Sequence, residues 1–160
     1  MRFLWFGKKK AKESSAPTPE TPRELQESFS VSGFAMESNP VAGTKNSELS
    51  HQTINSLALS VLSQAHHDSD KAAQEFFQER GAIVLPISSY SFNAERGFSA
   101  RVQDGEISRT VLIGPVAEIA RATTPFCPSI AAATAQHPEA FVIAIDGIAY
   151  ATFTISRELI

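Results

Sequence analysis

A chain of 160 residues with 42% hydrophobic residues and eleven phenylalanines can bury a real core, which points to one domain with room for a tail. The net charge of −3 conceals a split: residues 1–12 carry Arg2, Lys8, Lys9, Lys10 and Lys12 and no acid, so the remainder stands at −8. A body that acidic excludes nucleic acid as a partner, because neutralising phosphates needs a clustered basic face. The lone Cys127 excludes an internal disulfide and a cysteine zinc cluster.

No run approaches the roughly 20 apolar residues that span a bilayer. In "MRFLWFGKKKAK" the apolar residues precede the lysines, the reverse of a secretory signal, and the expected location is cytoplasmic. This start reads as the solvated head of a disordered tail; peripheral contact of residues 1–12 with an anionic membrane is the other reading. Residues 13–28, "ESSAPTPETPRELQES", hold three prolines among serines, threonines and acids, the composition of an extended linker. The domain is therefore expected over residues 29–160. Its first stretch, 29–46, punctuated by Gly33, Pro40 and Gly43, reads as loop or short strand.

Helix logic begins at Ser47, an N-cap ahead of Glu48 and Leu49. Ile54, Leu57, Ala58, Val61 and Leu62 then fall on one helical face. The "HHDS" segment breaks the pattern. A second helix follows, capped by Asp68 or Ser69, with Ala72, Ala73, Phe76 and Phe77 inward and Gly81 as its stop. From residue 82 the period becomes strand-like: "AIVLPISSYSF" is β-rich, with Pro86 marking an edge or bend. "GFSARV" and "ISRTVLI" flank an Asp104-Gly105 hairpin signal. A helix through Val116, Ile119 and Ala120 and another over "PSIAAATAQ" precede a last hairpin around Asp146-Gly147. The order predicts an α+β fold: an antiparallel β-sheet with helices packed on it.

In their order these pieces resemble the nucleotide-binding (N) domain of P-type ATPases, the heavy-metal-transporting branch above all. The family's Ser-Glu-His-Pro motif falls on Ala65, His66, His67 and Asp68, in the break between the helices. Its Pro-Gly-x-Gly-hydrophobic turn falls on Ala94 to Phe98 and keeps Gly97. "VLIGP" matches the strand that enters a Gly-Asn pair, with Gly114 kept and Pro115 in place of the asparagine. Upstream, the run that carries the family's phosphorylated aspartate matches "FSVSGFAMES", Phe29 to Ser38, with Ser30 at the aspartate and Val31 at the following lysine.

The resemblance implies a degenerate, stand-alone member of that fold. An adenine nucleotide such as ATP would sit near His66, His67, Gly97, Phe98 and Gly114. The departures imply weak binding or none, and no autonomous ATPase or pump. Ser30 replaces the phosphorylated carboxylate, and no Gly-Asp-Gly-x-Asn-Asp magnesium segment exists. Glu95 stands where the family has its first turn glycine, bringing negative charge toward a polyanion; a like charge at ~4 Å costs roughly 1 kcal/mol in water and more when desolvated. The alternative is an interaction scaffold without nucleotide, its basic start tethering it to a protein partner.

Plainer readings stand beside these. His66 and His67 also suit a surface cap or turn, and as a metal site they lack further ligands, since adjacent residues on a helix do not face one another. Gly97 and Gly114 also suit ordinary turns. Phe76, Phe77 and Phe98 read as core before they read as stacking partners for a base.

Overall fold

The computed structural model describes residues 27–41 and 48–159, so the basic start, nearly all of the linker and the Ser47 cap lie outside the described residues. Chain contacts group Phe29–Ser156 as one compact unit. All packing below belongs to Phe29–Ser156.

Strand β1 (Glu27–Met36) opens the described chain, followed by helices α1 (His51–Leu62) and α2 (Asp68–Gln78). Three strands come next: β2 (Ile87–Asn93), β3 (Gly97–Asp104) and β4 (Ile107–Pro115). Helices α3 (Val116–Ala122) and α4 (Pro128–Gln136) lead to β5 (Phe141–Ile145) and β6 (Ile148–Leu159). The strands form one six-stranded sheet in the order β1-β6-β5-β4-β3-β2, antiparallel throughout the four pairs from β2 to β6. β1 joins in the same sense: Ser32 Oγ lies 3.0 Å from Ser156 Oγ, and the Glu37 N–H donates to the Tyr150 carbonyl at 2.8 Å. The expected antiparallel α+β fold is the one observed.

Two hairpin turns set the register. Ile145 pairs with Ile148, leaving Asp146 and Gly147 at φ 52° and 83°, the doubly left-handed two-residue turn whose twist suits a hairpin. In the first hairpin Asp104 itself pairs with Ile107, so the turn is Gly105-Glu106, one residue later than the Asp-Gly signal suggests. Arg109 ties the two turns together, at 3.4 Å from Asp104 Oδ2 and 3.1 Å from Asp146 Oδ2.

Alternation along the strands feeds two cores. Val102, Val111, Ile113, Ile143 and Phe153 face α1 and α2, whose Ile54, Leu57, Val61 and Phe77 are fully buried against them. Val142, Ala144 and Ala149 face the other way, onto Ile119 of α3 and Ile130 of α4. Strand β5 is thus buried on both faces. Each fully buried aliphatic or aromatic side chain contributes about 1.5–3 kcal/mol.

Several local readings shift by a few residues. Ser50 caps α1, its Oγ accepting from the Thr53 N–H at 3.0 Å. The cap of α2 is His67 rather than Asp68 or Ser69, because Asp70, three residues on, reaches back to accept the His67 N–H at 3.3 Å. The β-rich run after Gly81 does not start as strand. Its Ile83 and Leu85 N–H groups donate to Ser56 Oγ (3.0 Å) and Ser60 Oγ (2.7 Å) of α1, and ladder pairing begins only at Ile87, after Pro86. Residues 27–36, by contrast, form a full ten-residue strand. Ser30 lies exposed within it.

Candidate functional site

The turn between α1 and α2 is held from within. Gln74 Nε2 donates to the Leu62 carbonyl at 2.6 Å and to the Ala65 carbonyl at 3.3 Å; the Leu62 carbonyl also accepts the Ala65 N–H at 2.9 Å, so the turn is pinned at both ends. His66 and His67 follow this turn and are exposed. His67 Nδ1 lies 3.3 Å from Asp70 Oδ2, and its ring centroid is 6.3 Å from that of Phe92 on β2. Phe92 in turn sits 4.7 Å from Phe98, centroid to centroid.

These groups enclose a cleft of about 370 Å³, lined by Gln64, Ala65, His66, His67, Asp70, Tyr90, Phe92 and Phe98. A chamber of about 240 Å³ shares Asp70 and Phe98 with it and is otherwise mostly apolar, with Leu62, Ile113, Phe141 and Phe153 in its walls. Burial, and then the Asp70 charge, raise the Tyr90 hydroxyl above its ordinary pKa, so it remains a neutral donor at the cleft edge. Imidazole, phenyl and phenol rings around one carboxylate suit a flat, partly polar ring, which they can stack on and hydrogen-bond.

The two glycines do something else. Gly97, at φ +99°, leaves no room for a side chain: a Cβ there would land on the Ile113 carbonyl oxygen and lie 2.6 Å from Gly114 Cα. A Cβ on Gly114 would land on the Arg96 carbonyl oxygen. The pair therefore lets β3 and β4 approach where the Ala94–Arg96 turn enters the sheet. That turn is closed by Asn93, whose Oδ1 accepts from the Glu95 N–H at 2.8 Å and the Arg96 N–H at 3.1 Å. Backbone donors that an open glycine turn would offer to phosphate are already occupied.

The structure thus brings His66, His67 and Phe98 into one cleft. Gly97 lines a different cleft on the other face of the sheet, and Gly114 packs beside it. Among the described residues no three His, Cys, Asp or Glu side chains gather as metal ligands would. Cys127 caps α4 and packs against the second core, its Sγ 3.4 Å from Ser129 Oγ.

No protein-family profile matches this chain, and no curated protein matches it by sequence. Solved structures do. The N-domain of HMA6, a copper-transporting P-type ATPase, superposes with a TM-score of 0.58 at 17% identity, over 80% of this chain and 98% of that one. The N-domain of HMA8, another copper-transporting P-type ATPase, gives 0.57 at 17%, over 79% and 99%. This chain has the fold of a P-type ATPase N-domain. The catalytic domain of the CPx-ATPase CopB-B, studied for its conformational changes on nucleotide binding, superposes with 0.54 at 15% identity over 83% of this chain. The chain spans only 39% of that longer one.

Within the N-domain fold, sequence reasoning found the histidines and Phe98 but missed Asp70, Tyr90 and Phe92. Asp70 carries a signal: an acid three residues after a cap position is half of a capping box. Tyr90 and Phe92 carry none, because a bulge between Ser88 and Ser91, with Ser89 at φ 54°, resets which side chains face the histidines. No described helix of the N-domain fold is long and apolar enough to cross a membrane.

Proposed function

We infer that this chain is a non-catalytic N-domain-like module that holds the base of an adenine nucleotide weakly beside His66 and His67. The carrying observation is the 370 Å³ cleft in which two imidazoles, three aromatic rings and the Asp70 carboxylate converge. The base is the part of the ligand this cleft suits. The turn that would meet the phosphates is closed by Asn93 and carries Glu95. Turnover is not part of this reading, since the serine hydroxyl of Ser30, where the resemblance sets an aspartate, forms no acyl phosphate. A cytoplasmic location goes with it.

Amide NMR of the full chain, titrated separately with adenosine, magnesium-free ATP and GTP, tests this. Shifts at residues 65–70, 90–92 and 98 are expected with adenosine and with ATP, at affinities within about threefold of each other, a difference of under 1 kcal/mol. Silence at millimolar adenosine and ATP overturns base binding. ATP binding far tighter than adenosine overturns the view that the phosphates go unheld. The Asn93-closed turn also favours a second reading, an interaction scaffold that has given up nucleotide and is tethered through residues 1–12. Removing those residues and finding liposome or partner binding unchanged rejects that tether.

A further inference from the structure

A second, roomier cleft lies away from the histidines. On the outer face of the sheet, about 560 Å³ opens between β2, β3, β4 and α3. Its floor is a row across three strands: Ser91 pairs with Ser99, and Ser99 with Leu112. Ile119 of α3 continues the apolar end. Arg96 enters from the Asn93-closed turn, exposed and, among the described residues, without an acid or carbonyl partner. Arg121 enters from α3, oriented by Glu118 at 2.9 Å and still 73% exposed. Among the described residues neither the Ser91 nor the Ser99 hydroxyl has a side-chain partner. Four donor groups therefore meet in one cleft, and two arginines outweigh one glutamate on a body that is otherwise acidic.

We propose that this outer cleft is a second binding site, for an organic phosphate whose apolar part lies on Leu112 and Ile119. A phosphate monoester offers three terminal oxygens in a pyramid, which suits two guanidinium groups and two hydroxyls arriving from different elements. A carboxylate offers two oxygens in a plane and leaves donors unmatched. The chamber beside α1 and α2 offers no guanidinium and a single hydroxyl, that of Ser69, and its one charge is the Asp70 carboxylate. Glu118 limits affinity by repulsion and by holding Arg121. The site does not depend on the His66 cleft, and its ligand binds whether or not adenosine does.

Phenyl phosphate, benzoate and benzyl alcohol, each titrated into the full chain and followed by amide NMR, separate the cases. Phenyl phosphate is expected to shift Ser91, Arg96, Ser99 and Arg121 saturably, with the amides of residues 65–67 unmoved, and to weaken as salt rises. Arg96→Gln and Ser99→Ala alter outward-facing side chains; each is expected to weaken binding roughly fivefold, and Glu118→Gln to tighten it. Dispersed spectra of the free variants confirm that they fold. Benzyl alcohol shifting the same residues as strongly would show an apolar contact only. Benzoate binding as tightly would show a general carboxylate site, and unchanged affinity in Arg96→Gln would remove the anchoring cation. Each of these three results overturns the proposal.

Discussion

The two faces of the sheet are built unequally. On the inner face, twenty described residues form one buried cluster beneath α1 and α2. On the outer face only five do, beneath α3 and α4 and confined to the region of β4, β5 and β6. The outer sides of β2 and β3 are left to Ser91, Ser99, Arg101 and Gln103, which need no cover because they are polar. One face is thus spent on stability, and the other keeps an uncovered corner where a ligand can be met. The histidine cleft sits at the rim of the stable face, where the turn joining its two helices meets β2.

The largest expected loss tests the inner face. Phe77 is fully buried and meets Phe34, Phe76 and Phe153 in edge-to-face geometry at 5.3–6.1 Å. Phe77→Ala should cost about 3–5 kcal/mol in denaturant unfolding. A loss under about 1 kcal/mol would mean that the inner core is loosely packed.

Next comes the junction of β3 and β4. Gly97→Ala must place a Cβ against the Ile113 backbone at a left-handed φ, with an expected cost of about 3 kcal/mol. Gly105→Ala separates conformation from space: its φ is +64° but nothing lies within 4 Å of the added carbon, so about 1 kcal/mol is expected. Equal losses at the two sites, read from thermal unfolding, would show that the close approach at Gly97 costs nothing beyond its φ.

Ile130→Ala probes the outer face. The side chain is fully buried, yet its cluster is small and can collapse around the gap, so about 2–3 kcal/mol is expected. If this loss matched that of Phe77→Ala in the same unfolding series, the asymmetry between the faces would not be energetic.

Much of this was legible in the sequence, for reasons that differ by region. The α1 face could be read because five apolar residues repeat at helical spacing, and α4 because the run "PSIAAATAQ" is rich in alanine, with Pro128 at its start. The hairpins could be read from their Asp-Gly pairs, though the first turn moved one residue because Asp104 was taken into the ladder. The stretch 82–86 could not, since its backbone donors are claimed by Ser56 and Ser60, two serines on a helix far away in sequence. For β1 the reading stopped at loop or short strand, because its residues alternate only weakly and gain their partner from the far end of the chain. At the histidine cleft the chemistry-bearing pair was visible, while its aromatic wall depended on a bulge that leaves no compositional mark. Gly97 and Gly114 were visible as glycines, but only the structure shows that each excludes a side chain from the other's backbone.

The smallest expected effect concerns alkaline pH and compares the inner core with the cleft at its rim. Burial raises the Tyr150 hydroxyl above its ordinary value of 10.0; Arg109 opposes the shift, and Asp146 adds to it. A raised pKa means that the folded state holds the phenolic proton more tightly than the unfolded chain. That contribution is therefore complete below about pH 10 and is lost as pH climbs through the folded value. Tyr90 shifts the same way at the cleft edge, but its side chain is only half-buried. Tyr150→Phe should then flatten the fall of stability above pH 10 more than Tyr90→Phe does, measured as the denaturant midpoint against pH. If the Tyr90 variant gave the larger flattening, the alkaline weak point would lie at the cleft and its Asp70 charge, and the inner core would keep its proton-linked stability beyond the point where the site fails.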